Sequence, residues 1–250
     1  MHVAQEQKVA LVTGSALNIG RQIALHLGRD GYRVMTTARN SEADARETAR
    51  LVREAGCDAD THMADIADHA QAAALVDTTV RRFGRLDVLV NNASMRRQTK
   101  FAEMTPAEWR EILGATLDGA FYCAHAAAPH IVAGGGGTIV NIGGISAHAG
   151  AVGRVHAVTA KAGMVGLTRA LAKELGTDNV TVNIVVPGSI ETVRGFAAGG
   201  NTGRAHLPDT LVGRRGKPEE IAAMVRFLCS NEARFITGQT IHVNGGAFLS

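Results

Sequence analysis

The residues from Thr13 to Gly20 have the types and the spacing of a phosphate-binding turn. A short apolar run, Val9 to Val12, precedes them and predicts a strand that is buried on both faces. Apolar residues then recur at helical spacing from Ile19 to Leu27, so a helix should begin directly after the turn. Unpaired amides and the helix dipole at such a helix start attract an anion. An ordinary strand-to-helix turn is the alternative, but the strand and the helix on either side favour a nucleotide site.

The composition is that of a globular protein and not of a nucleic-acid-binding or membrane protein. The chain has 250 residues, of which 46% are hydrophobic and 20% charged, with a net charge of +3. It contains no Lys/Arg block typical of a nucleic-acid interface and no apolar stretch of membrane-spanning length. The three cysteines are far apart and lack the spacing of metal ligands, which is typical of reduced thiols. We therefore expect a soluble, cytoplasmic protein with no metal site.

Strand and helix patterns alternate along the whole chain, which predicts an α/β fold: one Rossmann-type domain over residues 1–250 with a doubly wound parallel sheet. Thr105 and Pro106 should begin one of the helices, as N-cap and first helical residue. The Gly/Arg-rich stretch 192–216 interrupts the alternation, and a flap over a pocket is our interpretation. The predicted strands are Val9–Val12, Arg33–Thr37, Asp58–Met63, Asp87–Val90, Thr138–Ile142, Val180–Val186 and Gln239–Val243.

Several polar residues and glycines follow the predicted strands directly. In open parallel sheets, ligands bind beyond the carboxyl ends of the strands, so residues that are distant in sequence meet at one edge. Their convergence is a stronger indication of a ligand site than any one of them alone. The residues brought together in this way are Gly14, Asn18, Gly20, Arg39, Asp65, Asn91, Gly143, Pro187 and Gly188.

These motifs, in this order and spacing, resemble the short-chain dehydrogenase/reductase family along essentially the whole chain. The carboxyl-terminal part is similar to bacterial 3-oxoacyl carrier-protein reductases, and Asn91 to Ser94 is similar to pteridine reductases. The matching segments are Thr13-Gly14-x-x-x-Asn18-Ile19-Gly20, Asp65, Asn91-Asn92-Ala93, Lys161-Ala162-Gly163, Asn183-x-x-x-Pro187-Gly188-x-Ile190-x-Thr192, Gly216-x-Pro218-x-Glu220, Gly238-Gln239 and Val243-Asn244-Gly245-Gly246.

The resemblance implies a nicotinamide dinucleotide, and Arg39 favours NADP over NAD. An acidic residue after the second strand would hold the ribose hydroxyls of NAD, but Ala38 stands there and is followed by Arg39, which suits a 2′-phosphate. A solvated surface arginine is the alternative, and Leu17 stands where many NADP-dependent members carry a basic residue. The implied cofactor-binding residues are Gly14, Ser15, Asn18, Ile19, Gly20, Arg39, Asn40, Asp65, Asn91, Ala93, Lys161, Pro187, Gly188, Ile190 and Thr192.

The resemblance fails at the residues that carry the family's chemistry. There a tyrosine protonates the developing alkoxide, a lysine four residues later supports it, and a serine and an asparagine complete the site. Counting back from Lys161 places Ala157 at the tyrosine position and Gly144 at the serine position, while Thr116 stands for the asparagine. Of these four groups only Lys161 remains, so the family's usual mechanism cannot operate unchanged.

Neighbouring side chains are candidates to replace the missing groups. His156 is adjacent to the tyrosine position, although one residue along a helix turns a side chain by about 100°. Ser146 and His148 follow Gly144, and we interpret them as surface or packing residues. Arg96, Arg97 and Arg154 are either three solvated arginines or a cationic pocket for a carboxylate or phosphate substrate.

Three functions remain open. The first is an NADP-linked oxidoreductase that takes its proton from His156, water or the substrate. The second is a non-redox enzyme acting on an anionic substrate with Lys161. The third is a non-catalytic NADP-binding sensor or scaffold protein. The resemblance also implies a homotetramer or homodimer, a small-molecule substrate, and no nucleic-acid or membrane partner.

Overall fold

A seven-stranded parallel sheet forms the centre of the molecule. The computed structural model describes residues 7–193 and 210–249. Its strands run in the order β3-β2-β1-β4-β5-β6-β7, and each pairs in parallel with its neighbours. The strands are β1 (Val9–Val12), β2 (Arg33–Thr36), β3 (Ala59–Thr61), β4 (Val88–Asn91), β5 (Gly137–Ile142), β6 (Val180–Pro187) and β7 (Thr240–Val243).

The connections between these strands are helical. The α-helices of the described part are α1 (Asn18–Arg29), α2 (Glu42–Glu54), α3 (His69–Phe83), α4 (Pro106–Leu113), α5 (Gly119–Ala133), α6 (Ser146–Ala149), α7 (Val155–Leu175) and α8 (Pro218–Cys229). This arrangement confirms the predicted α/β fold with a Rossmann-type doubly wound sheet. None of the described helices is both long and apolar enough to cross a membrane.

The apolar run that begins the chain's first strand is buried on both sides, as its sequence predicts. Ala10 and Val12 pack into one hydrophobic cluster with helices α1 and α8, whereas Val9 and Leu11 pack into a second cluster with α3 and α5. Side chains alternate across a strand, so a continuous apolar run supplies both clusters at once. This double burial fixes the end of β1, from which the turn at Gly14 starts.

Helix α4 begins where the sequence places it. The Thr105 hydroxyl accepts a hydrogen bond from the Glu108 amide at 3.1 Å, and Pro106 occupies the first helical position. A π-helical turn over Gly114–Asp118 separates α4 from α5. Such turns insert an extra residue into a helix and often occur near functional sites. Here the turn carries Ala115 and Thr116.

The boundaries of some elements differ from the predicted ones. The third strand is limited to Ala59–Thr61, shorter than the expected Asp58–Met63. Most of the expected flap at 192–216 lies outside the described residues. At its two ends, an isolated bridge joins Ile190 to Gly216.

Candidate nucleotide-binding and active site

The turn between β1 and α1 is held by close backbone packing. Gly14 has a φ of +61°, and a Cβ built on it would lie 2.8 Å from the Cα of Ala93. Only glycine combines this left-handed conformation with so close an approach. Gly20 is equally confined, since a Cβ there would lie 2.5 Å from the amide nitrogen of Asn92. Both glycines are therefore required for the turn to reach the end of β4.

Asn92 and Thr13 brace this turn from the neighbouring strand. The Asn92 amide nitrogen Nδ2 donates to the carbonyl oxygens of Thr13 and Gly14, both at 2.9 Å. The Thr13 hydroxyl accepts from the backbone amides of Asn92 and Ala93, both at 3.0 Å. Asn92 belongs to a matching segment of the sequence but is absent from the predicted cofactor-binding residues. The strand period of two could have found it, because Asn91 and Asn92 must face opposite directions.

A cleft of about 440 Å³ lies above the turn, at the carboxyl edge of the sheet. It is placed where the strand order reverses, between β1 and β4, which is the usual ligand site of such sheets. Eight of the sequence-predicted cofactor residues line the cleft together with Asn92, Met95 and Ala115: Gly14, Asn18, Ile19, Gly20, Arg39, Asn40, Asp65 and Ala93.

Two other predicted residues have their side chains in the protein interior. The Ser15 hydroxyl accepts from the Thr37 amide at 3.0 Å and thereby joins the turn to the end of β2. The Asn91 side chain is buried and donates to the Asn141 oxygen at 2.9 Å. Both are outside the lining of the cleft, so a direct contact with a nucleotide stays a prediction for each.

Arg39 lies at one end of the cleft, beside Asp65. Its guanidinium nitrogen Nη1 is 3.7 Å from a carboxylate oxygen of Asp65, and both side chains are partly exposed. A second shallow depression at this end is lined by Arg39, Asn40, Asp65 and Gln71. An exposed ion pair of this length contributes little to stability. The guanidinium can therefore turn to another anion at small cost.

The sequence assigns Lys161 to the position of the family's catalytic lysine, and this role stays a prediction. Helix α7 carries Lys161, and its ammonium donates a hydrogen bond to the carbonyl oxygen of Ile142, at the end of β5. Burial lowers the pKa of Lys161 from its usual 10.5 to about 8, because a low-dielectric surrounding disfavours the charged form. The ammonium therefore carries a proton that it can lose close to neutral pH.

Ala157, Gly144 and Thr116 are the residues that the sequence places at the family's tyrosine, serine and asparagine positions, and this correspondence stays a prediction. Ala157 is buried one helical turn before Lys161, on the same face of α7. A Cβ built on Gly144 would lie 3.9 Å from the hydroxyl oxygen of Ser146. The Thr116 hydroxyl accepts from the Met95 amide at 3.4 Å. Ser146, interpreted from sequence as a surface or packing residue, thus brings a hydroxyl near the serine position.

His156 is held in the interior by contacts that do not involve the cleft. Its ring nitrogen Nε2 lies 3.1 Å from a Glu108 oxygen, and Nδ1 accepts from the Ala157 amide at 2.7 Å. The side chain is fully buried. Glu108 also accepts a hydrogen bond from the Thr99 hydroxyl, which lowers the pKa of this carboxyl most, followed by His156 and Arg97. These contacts suit a structural histidine, and its role as a proton donor stays a prediction.

The structure does not assign a common ligand to Arg96, Arg97 and Arg154. Arg97 pairs with Glu111 at 3.1 Å and lies 4.0 Å from Glu108, so carboxylates of α4 already balance its charge. Arg154 precedes α7, and its carbonyl oxygen accepts from the Val158 amide. A cationic substrate pocket stays a prediction. No group of three or more metal-ligating side chains occurs within residues 7–193 and 210–249.

The segment after β6 contacts the start of α1 but is outside the lining of the cleft. The Pro187 carbonyl accepts from the Ile145 amide at 3.0 Å, and the Gly188 amide donates to Val243 at 3.1 Å. Ile190 is buried against Gly216. Val193 is hydrogen-bonded to Asn18 of the phosphate turn. Thr192 lies next to this contact, and its part in cofactor binding stays a prediction.

The fold and this cleft define the chain as a member of the short-chain dehydrogenase/reductase family of nicotinamide-dependent oxidoreductases. The family model described as "Enoyl-(Acyl carrier protein) reductase" matches residues 14–247.

Individual relatives match over almost the full chain. The 3-oxoacyl-(acyl-carrier-protein) reductase FabG of Staphylococcus aureus is 37% identical over 242 residues, covering 97% of this chain and 98% of the relative. Among solved structures, an acetoin dehydrogenase from Enterobacter cloacae is 37% identical, covers 98% of this chain and 96% of its own, and has a TM-score of 0.88. The acetoin dehydrogenase YohF from Salmonella typhimurium is 35% identical with a TM-score of 0.88, covering 96% and 95% of the two chains.

Proposed function

We propose that this protein is an NADP-linked oxidoreductase that reduces a carbonyl or imine group of a small molecule by an atypical mechanism. The observation that carries the proposal is the cleft itself. It runs from Arg39 and Asp65 at one end, over the glycine turn, to Met95 and Ala115 at the other. Its size and its place at the switch point of the sheet suit a dinucleotide.

The residues of the cleft have distinct roles in this proposal. The turn from Gly14 to Gly20 binds the diphosphate through backbone amides and the start of α1. Arg39 binds the 2′-phosphate with charge-assisted hydrogen bonds, and it leaves Asp65 to do so. The absence of an acidic residue at Ala38 avoids repulsion of that phosphate. The bound nucleotide supplies the hydride.

Proton supply is the step at which this chain departs from its family. Ala157 has no proton to donate, and His156 has both ring nitrogens engaged in the interior. Lys161 stands one turn from Ala157, and with a pKa of about 8 its ammonium is a suitable acid for a developing alkoxide. We propose Lys161, directly or through a water molecule, as the proton donor. We propose that the Ser146 hydroxyl, which lies near the position of residue 144, donates a hydrogen bond to the carbonyl oxygen of the substrate, as the family's serine does.

The test is calorimetric titration of the purified protein with NADPH and with NADH, followed by nucleotide oxidation in the same samples. The substrate panel should include a 3-oxoacyl thioester and acetoin, because relatives are named for these compounds. We expect tighter binding of NADPH and slow turnover of at least one carbonyl. The rate should fall as the pH rises through about 8, because the lysine then loses its proton. Binding of neither nucleotide would contradict the proposal.

A non-catalytic NADP-binding protein is the second candidate, and one observation favours it specifically. Three of the family's four catalytic positions are occupied by Ala157, Gly144 and Thr116, and Thr116 has acquired a contact with the Met95 amide. Tight NADPH binding without turnover of any carbonyl would select this function. The search would then move to protein partners and anionic ligands.

We also propose that the chain assembles into a homodimer or homotetramer. The family to which the chain belongs supports this proposal, and the exposed side chains of Phe121 and Phe235 are accessible to a second copy. Light scattering of the purified protein measures the assembly directly. A monomer at micromolar concentration would contradict this proposal.

A further inference from the structure

The side chain of Asn18, which lines the cleft, forms a two-point contact with the backbone of Val193. Its side-chain oxygen accepts from the Val193 amide at 2.8 Å, and its side-chain nitrogen donates to the Val193 carbonyl at 2.9 Å. The two partners are 175 residues apart in sequence. One side chain thus joins the phosphate turn after β1 to the segment after β6. We call this pair of hydrogen bonds the Asn18 clasp.

The backbone of Asn18 is in the left-handed region, with a φ of +53°. Glycine adopts this conformation freely, and asparagine tolerates it better than most other residues. The family's turn resembles this one but carries glycine here, and glycine has no side chain with which to form a clasp. Asn18 therefore adds a connection while it keeps the turn's backbone shape.

The clasp is the last of several anchors along the segment from Gly188 to Val193. The Gly188 amide donates to Val243 at 3.1 Å, and the Glu191 amide donates to Gly216 at 2.8 Å. Thr192 is the single residue between the Glu191 anchor and the clasped Val193. Fixing the chain on both sides of one residue limits the positions that its side chain can reach.

We propose that Asn18 is a positioning residue, which holds Thr192 in place for contact with the bound nucleotide. The inference rests on the proposed function and assigns Asn18 a role in positioning part of the nucleotide site. Asn18 acts through Val193 and Thr192, and its own backbone remains part of the diphosphate turn. The two hydrogen bonds of the clasp order the segment around Thr192 before nucleotide binds. Binding then loses less conformational entropy, which increases the affinity.

The Asn18→Gly variant tests this proposal without straining the backbone, because glycine suits the positive φ. Asn179→Gly is the matched control. Asn179 also has a left-handed backbone, with a φ of 62°, and its side chain also bonds to a backbone carbonyl, that of Gly135 at 2.9 Å. It lies just before β6, at the opposite edge of the sheet from the cleft. Both variants delete a bonded asparagine side chain, but only one of them touches the site.

We expect Asn18→Gly to weaken NADPH binding by about five- to twentyfold, the effect of losing two hydrogen bonds of ordinary strength. Asn179→Gly should leave the affinity within about twofold of the original. The second measurement is a double-mutant cycle with Thr192→Val, which removes the hydroxyl and keeps the side-chain shape. If Asn18 acts through Thr192, Thr192→Val should weaken binding less in the Asn18→Gly background than in the original protein.

Hydrogen exchange provides a measure that does not depend on nucleotide. In the nucleotide-free protein, the Val193 amide should exchange at least about tenfold faster in Asn18→Gly than in the original, and unchanged exchange would show that the clasp does not form. Equal or tighter NADPH binding by Asn18→Gly, or additive effects in the cycle, would overturn the positioning role while leaving the proposed function intact. Absence of NADPH binding by the original protein would instead overturn the proposed function, and the positioning role with it.

Discussion

The nucleotide half of the site, around β1, β2 and β4, and the chemical half, around β5 and α7, differ in how their residues are connected. In the nucleotide half, Thr13, Gly14 and Asn92 form an interlocked unit of short hydrogen bonds and close backbone contacts. In the chemical half, Lys161 donates to the Ile142 carbonyl. Ala157 and Gly144, at the positions where the resemblance predicts a tyrosine and a serine, have no polar side chain.

This difference shows that the two tasks of the fold are separable. The turn at Gly14 depends on backbone packing against the residues that follow β4. Ala157, Gly144 and Thr116 of the chemical half take no part in that packing. Thr116 supports the same view. It lies in a π-helical turn and bonds to the Met95 amide, so it has a structural role at the position where the resemblance predicts a catalytic asparagine. Nucleotide binding can therefore persist whether or not the protein turns over a substrate.

The largest expected effect concerns Lys161 and the pH dependence of stability. Its pKa is about 8 in the folded protein and 10.5 in the unfolded chain, so the unfolded chain binds more protons between these values. Lys161 should therefore contribute a rise in stability of up to about 3 kcal/mol as the pH increases from 8 to 10.5, against the fall above about pH 9 that is due to the buried thiols of Cys123 and Cys229, whose pKa values burial raises. In Lys161→Met the contribution of Lys161 should be absent. Urea unfolding at several pH values measures it.

Lys173→Met provides the control for that experiment, because Lys173 is exposed on the same helix. It should retain the pH dependence of the original protein. If Lys161→Met kept the pH dependence of the original protein, the pKa of Lys161 would not be lowered in the folded state, and the argument for Lys161 as proton donor would fail. The chemical half would then contain a lysine with an ordinary pKa.

The second prediction tests the nucleotide half. Arg39→Ala should weaken NADPH binding by roughly ten- to a hundredfold, because charge-assisted hydrogen bonds to the 2′-phosphate are lost. NADH lacks this phosphate, so its affinity should change by less than about threefold. Calorimetry with both nucleotides measures the difference, and Arg29→Ala, an exposed arginine of α1, controls for the change in net charge. Equal losses for the two nucleotides would remove the argument for NADP.

The third prediction tests whether the chemical half can be restored by a single residue. Ala157→Tyr alone should raise the rate of carbonyl reduction by less than about tenfold, since catalytic groups act as a unit and Gly144 and Thr116 are unchanged. The triple variant with Gly144→Ser and Thr116→Asn should be more active than the single one. Steady-state rates with NADPH and a 3-oxoacyl thioester provide the measurement. Robust activity in the single variant would show that the tyrosine position alone limits the original protein.

The sequence predicted the sheet and the glycine turn because both follow from local patterns. The apolar run at β1 and the helical spacing after Gly20 are properties of neighbouring residues. Thr105 could be identified as an N-cap because Pro106 follows it. The rule for the carboxyl ends of strands then placed Arg39 and Asp65 together, and the structure brings them to 3.7 Å.

The finer contacts of the site could not be predicted because they depend on side-chain direction and on distant partners. Asn91 and Asn92 are adjacent, yet one faces Asn141 in the core and the other braces the phosphate turn. Asn18 bonds to Val193, which is 175 residues away, and no local pattern indicates this partner. The structural role of His156 could not be predicted either, because its partner Glu108 belongs to another helix.

The smallest expected effect concerns Glu108, which joins α4 to the loop at Thr99 and to His156 of α7. Its pKa is lowered, chiefly by the Thr99 hydrogen bond, so the carboxylate stabilises the fold above its ordinary pKa of 4.5 and loses this effect as the pH falls through its lowered value. Glu108→Gln should lower the melting temperature by about 2–4 °C at pH 7. The difference from the original protein should disappear in acid. Glu111→Gln, which loses only the Arg97 contact, should change less, and an equal effect of the two variants would show that Arg97 and not His156 gives Glu108 its importance.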